Sequence, residues 1–170
     1  ESSSENESVY VQLSTNASVG EADGAKLTHD LKLVDENGND INLPVGETIT
    51  LTLSYTGISG VDGVEAADFT TKTTTVTITG GTSSTTFKNT AQTDSEWNEA
   101  DEEYTATIAT VSQANATYEN IEITGETADQ SVTGTITDVT DNVTVILIAT
   151  NAAGDIPVDS NGKVVVDNTN

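Results

Sequence analysis

Residues 48–56 read TITLTLSYT, which places Ile49, Leu51, Leu53 and Tyr55 on one side of an extended chain and Thr48, Thr50, Thr52 and Ser54 on the other. A period of two is the pattern of a strand with one face in a core and the other in water. The same alternation recurs in KLTHDLKLV (26–34), TTVTIT (74–79), YTATI (104–108), NIEIT (120–124) and SVTGTIT (131–137). No segment shows a convincing helical period. Threonine fills most of the polar phase, because its branched Cβ suits a pleated surface and its hydroxyl tolerates water. Short strands separated by turn residues predict an all-β fold, an antiparallel immunoglobulin-like sandwich.

Two turns are marked by Asn-Gly, in DENGND (35–40) and in DSNGK (159–163). Asn-Gly accepts positive φ at both centres of a two-residue hairpin, so hairpin ends are predicted there. DENGND also shares part of a calcium-loop pattern but lacks the closing Glu at helix-loop-helix spacing. VYVQLSTNA (9–17) is echoed by VTVILIATNA (143–152), each followed by a D-x-N-G turn. The expected organisation is a linker over 1–8, a sandwich over 9–141, and a C-terminal strand and hairpin over 142–170 packing on the same sandwich. The alternative for 142–170 is the start of a following repeat.

Composition narrows the function. Hydrophobic residues make up only 34% and aromatics 4% of 170 residues, which supports a modest core. Twenty-eight acids face five lysines and no arginine, giving a net charge of −23. Nucleic acid and anionic membrane both require a basic footprint, so neither is an expected partner. No run is long enough to span a bilayer, and direct membrane insertion is not expected. With no cysteine, disulfides and thiolate metal sites play no part. The opening ESSSENES has no signal-peptide character, as expected for a piece of a larger protein.

The acids are not evenly spread. Within TDSEWNEADEEYTATI (93–108), Asp94, Glu96, Glu99, Asp101, Glu102 and Glu103 fall within ten positions without a cation. Two like charges about 5 Å apart near a surface repel by roughly 3 kcal/mol at an effective dielectric of 20. Either the stretch is splayed in water, as on a halophile surface, or it holds a cation. Calcium takes six to eight oxygen ligands from flexible loops, whereas magnesium disfavours dense all-protein cages. In a sandwich, loop ends distant in sequence converge at one pole, so acids at 21, 62, 94–102 and 138–141, each at a strand edge, can meet there.

The order SVGEADG (18–24), VDG (61–63) with ADF (67–69), DSEWNEADEEY (94–104) and GTITD (134–138) resembles the Calx-beta module of sodium–calcium exchangers and of long repetitive adhesins of Gram-negative bacteria. The resemblance covers about 18–141. It implies an immunoglobulin-like sandwich that binds Ca2+ at one end. Carried over position by position, it implies a metal set of Glu21, Asp62, Asp68, Asp94, Glu99, Glu102, Asp138 and Asp141. Ser95 stands where a second Asp is usual, Val139 and Thr140 interrupt the closing acids, and 25–47 is longer than the family norm.

Enzymatic readings have less to stand on, and no enzyme is expected. Glu99 and Glu102 are a carboxylate pair, but nothing shields one as an acid while the other stays ionised, as glycoside hydrolysis requires. His29 shares its phase with Leu27, Leu31 and Leu33 and is expected to face or rim the core. Trp97, inside the acidic stretch, is expected to cap the end of the core. The resulting expectation is a calcium-rigidified extender module of an extracellular, bacterial cell-surface adhesin of the RTX type, with neighbouring modules of the same chain as partners. The alternatives are a peptide- or glycan-binding module of such an adhesin, and an acidic domain without metal.

Overall fold

The computed structural model describes residues 8–57, 68–92, 100–138 and 159–161. Ten strands occur among the described residues: β1 (Ser8–Ser14), β2 (Ala17–Gly20), β3 (Lys26–Val34), β4 (Thr48–Thr56), β5 (Phe69–Thr71), β6 (Thr75–Thr79), β7 (Ser84–Ala91), β8 (Glu102–Gln113), β9 (Asn120–Ile123) and β10 (Ser131–Thr137). They form two five-stranded sheets, ordered β5-β7-β3-β1-β9 and β2-β10-β8-β4-β6. The fold is an all-β sandwich. A 3-10 turn spans Thr127–Asp129.

The chain falls into two compact units, Glu1–Thr140 and Asp141–Asn170, and the sandwich belongs to the first. In the second, Asn161 N–H donates to Asp159 Oδ1 at 2.8 Å, an Asx bond that opens the turn. The rest of that predicted hairpin, the 143–152 half of the echo and the expected packing of 142–170 lie outside the described residues.

Periodicity placed β3 and β4 on the bounds the structure shows. Each sends alternate residues inward: Leu27, His29, Leu31 and Leu33 from β3, and Ile49, Leu51 and Leu53 from β4. Burying an apolar side chain of this size stabilises by about 1.5–3 kcal/mol, so these rows hold the sheets together. β8 is longer than the predicted 104–108 and starts inside the acidic run, at Glu102. β7 alternates too, but one of its inward positions is Asn89, fully buried, and its polar sequence hid the strand.

β1 and β2 are one continuous segment that changes sheets. Its corner is Thr15, held at φ 72°, in the left-handed region that β-branched residues avoid. Beyond the corner, β2 pairs in parallel with β10, while before it β1 pairs in parallel with β9.

The turn at 35–40 reverses the chain as predicted, closing on a Val34–Asp40 bridge. Its geometry differs from the predicted one. Gly38 takes φ 80° while Asn37 does not enter the left-handed region. Asp35 explains the difference: its carboxylate accepts from the N–H groups of Asn37 and Asn39, both at 2.8 Å, and fixes a longer, side-chain-braced loop. These bonds hold the Asp35 carboxyl below its ordinary pKa, the Asn39 side-chain bond contributing most. The stretch after it, which made 25–47 look long, turns back to the body: Leu43 is buried, and its backbone bonds Thr82 and Gly81.

Candidate metal centre

One end of the sandwich gathers a set of strand ends. There β2 finishes opposite the end of β10 (Gly20 beside Thr137), and β8 starts beside the same strand (Glu102 beside Ile136). On the other sheet, β3 starts beside the end of β7 (Lys26 beside Thr90), and β5 starts beside it too (Phe69 beside Ala91). Residues next to these ends therefore meet although they are far apart in sequence.

Four of the predicted ligands are among the described residues, and all four line one small cavity: Glu21, Asp68, Glu102 and Asp138, with Ala100 and Ile136 as its apolar wall. Glu21 is set by its own N–H, which donates to Thr137 O at 2.9 Å and carries the end of the β2–β10 pairing past the last strand residue. Asp138 follows the last residue of β10, and Glu102 is the first residue of β8. Asp68 comes from the opposite sheet, where its carbonyl accepts from Gln92 N–H at 2.8 Å, and it is only 3% exposed. Asp62, Asp94, Glu99, Asp141 and Trp97 lie outside the described residues.

An aromatic contact sits next to two of these acids in sequence. Phe69, next to Asp68, meets Tyr104, two residues beyond Glu102, edge to face with ring centroids 5.4 Å apart. Sequence reasoning gave neither ring a role in the site. The available signal was the adjacency of acid and aromatic in Asp68-Phe69 and Glu102-x-Tyr104.

The cavity offers about 10 Å³, on the order of one water-sized sphere. Its donors are carboxylate oxygens only, with neither imidazole nor thiolate among the lining residues, which is the chemistry of a hard cation such as calcium. As placed, no three described His, Cys, Asp or Glu side chains converge tightly enough to ligate one ion. The four acids thus share a cavity without closing on a point. The donor set fits calcium, and the spacing is wider than a formed coordination sphere.

No protein-family model matches the chain, and no curated protein matches it. Among solved structures, the fold is similar to that described as "Crystal structure of Apo-form Calx CBD1 domain", with a TM-score of 0.50, 14% identity, and coverage of 79% of this chain and 99% of that one. At that identity the likeness is one of fold. The sandwich of this chain is Calx-beta-like in fold.

Proposed function

We propose that this domain is a calcium-binding structural module of a bacterial cell-surface adhesin, stiffened by the ion and joined to neighbouring modules of the same chain. One observation carries the reading: carboxylates from four separate segments, drawn from both sheets, line a single cavity at one end of the sandwich. A buried carboxylate is costly without compensation, and a divalent cation compensates several at once. The fold likeness to a Calx CBD1 domain supports the same reading. Binding to the folded state alone stabilises by about 2.7 kcal/mol when free calcium is a hundredfold above Kd. Low-calcium cytosol would leave the acids repelling one another, and millimolar calcium outside the cell would draw them together.

Thermal unfolding in millimolar calcium against EGTA tests this. The expected midpoint rise is more than about 10 °C, from several ions at roughly 2–5 °C per kcal/mol for a domain of this size. An unchanged midpoint would leave the acidic domain without metal as the better account.

A second reading, a module that holds a glycan or peptide, is favoured by a groove of about 370 Å³ between the 35–38 turn and residues 124–126, with Tyr10, Gln12 and Val34 among its lining. Glycan and peptide arrays probed in calcium and in EGTA test it, and a calcium-stabilised domain with no hit on either array removes it.

A further inference from the structure

Among the described residues, the four outer strands of the two sheets are not equally protected. β5 has three residues; β2 has four and ends in Gly20; β9 has four and carries Glu122. β6 reads TVTIT, five residues without a charge, a proline or a glycine. Natural sheet edges are usually blunted by such devices, and β6 lacks them.

Among the described residues, the backbone groups of β6 that β4 leaves unused can be assigned. Leu53 N–H donates to Thr74 O, and Gly80 N–H donates to Glu47 O. In an antiparallel pair the bonded residues alternate, so the even-numbered residues of β6 bond β4, while the N–H and C=O of Thr75 and Thr77 point away from it. Across from them, β7 turns the backbone of Ser84, Thr86 and Lys88 away from β3 by the same alternation, since Leu33 N–H donates to Ser83 O. Between β6 and the part of β7 that the short β5 does not reach lies an open seam of about 350 Å³, lined by threonines and by Val76 and Phe87, with Lys88, whose carbonyl accepts from the Thr73 hydroxyl, among its lining.

Charge identifies the kind of occupant. No carboxylate lines the seam among the described residues, although the chain has 28. Lys88, one of five lysines, is exposed and makes no ion pair among them. At physiological salt, fields decay over about 8 Å, so Lys88 answers to its neighbours more than to the net charge of −23; Asp30, opposite Thr86 in the β3–β7 pair, accepts from the Thr15 hydroxyl at 2.6 Å.

We propose that the seam beside β6 is a docking site for an extended, acidic peptide segment of a partner protein, which adds to the β4–β6 side of its sheet as one more strand. Main-chain bonds to Thr75 and Thr77 hold the segment, an apolar side chain enters between Val76 and Phe87, and a carboxylate meets Lys88. The site is distinct from the acidic cavity and does not depend on calcium being bound there.

A short capped peptide of alternating valine and glutamate, with a lysine-for-glutamate version as control, is the probe. In calcium buffer, hydrogen exchange at the amides of Thr75 and Thr77 should slow at least tenfold with the acidic peptide and stay unchanged with the basic one. Thr77→Pro removes an outward N–H that β4 does not use, so it should keep the unfolding midpoint and abolish the protection. Lys88→Glu should weaken binding about tenfold and decides the matter if the proline variant fails to fold. Equal binding of both peptides, or no protection at saturating peptide, overturns the proposal. So does protection of the same amides by self-association, measured by sedimentation without peptide, which would make the occupant a second copy. None of these results bears on the calcium-dependent midpoint.

Discussion

His29 Nε2 and the Tyr104 hydroxyl lie 2.7 Å apart, both residues fully buried, and the pair ties the two sheets together inside the core. On its other side, His29 Nδ1 is 2.8 Å from the carbonyl oxygen of Thr15. A carbonyl only accepts, so Nδ1 carries the proton and Nε2 accepts from the tyrosine. Burial lowers the pKa of His29 and raises that of Tyr104, so both groups are neutral in the folded protein.

A pH dependence follows from that histidine. Its folded pKa lies below the ordinary 6.5. Above 6.5 neither state binds the proton, and the neutral pair is fully stabilising. As pH falls below 6.5, the unfolded chain takes up a proton that the folded one refuses, and stability drops by up to about 1.4 kcal/mol per pH unit until the folded pKa is reached. Urea unfolding between pH 7 and 5 should show this slope, and His29→Gln should remove it.

Thr15 is the corner where the first segment leaves one sheet for the other, at φ 72°. Its carbonyl is held by His29, and its Oγ1 donates to Asp30 at 2.6 Å. The left-handed region costs an ordinary residue about 1–2 kcal/mol, and asparagine enters it more readily. Thr15→Asn should therefore stabilise by about 0.5–1 kcal/mol in denaturant titration. A loss of stability would mean that the bond to Asp30 outweighs the backbone.

Gly134 pairs with Tyr104 across β10 and β8, and a Cβ there would collide with the tyrosine ring. Gly134→Ala should cost about 2–3 kcal/mol as the ring is displaced. Tyr104→Phe keeps the ring but leaves His29 Nε2 without its donor, at about 1–3 kcal/mol. Calorimetry on both variants separates the volume of the ring from its hydroxyl.

For the proposed calcium site, Asp68→Asn and Glu102→Gln should each remove at least half of the calcium-dependent rise in the unfolding midpoint. Glu36→Gln, beyond the opposite end of β3, should leave the rise intact. Equal effects from all three would indicate general screening of an acidic surface.

The sandwich was legible wherever a strand keeps an apolar row facing a polar one, as in β3, β4 and β10. It was hidden where the inward row is itself polar or the strand is short. Asn89 is buried in β7 because its Oδ1 accepts from Thr73 N–H at 2.8 Å and from the Tyr55 hydroxyl at 3.2 Å, partners no local pattern reveals. That Glu21, Asp68, Glu102 and Asp138 lie at strand edges was legible, and the structure lines one cavity with them. That Asp68 approaches from the opposite sheet depends on β5 pairing with β7, a contact set by tertiary packing and not by period.

The parallel pairings of β1 with β9 and of β2 with β10 bear on how the domain would answer a pull along its length. Ser8 enters β1 at the end of the sandwich away from the acids, and Asp138 leaves β10 at the acidic end. A pull between these points drags neighbouring strands lengthwise past each other, so the backbone bonds between β2 and β10 must break together in shear instead of unzipping singly. An ion held by Glu21 and Asp138 would sit at the last link of that clamp.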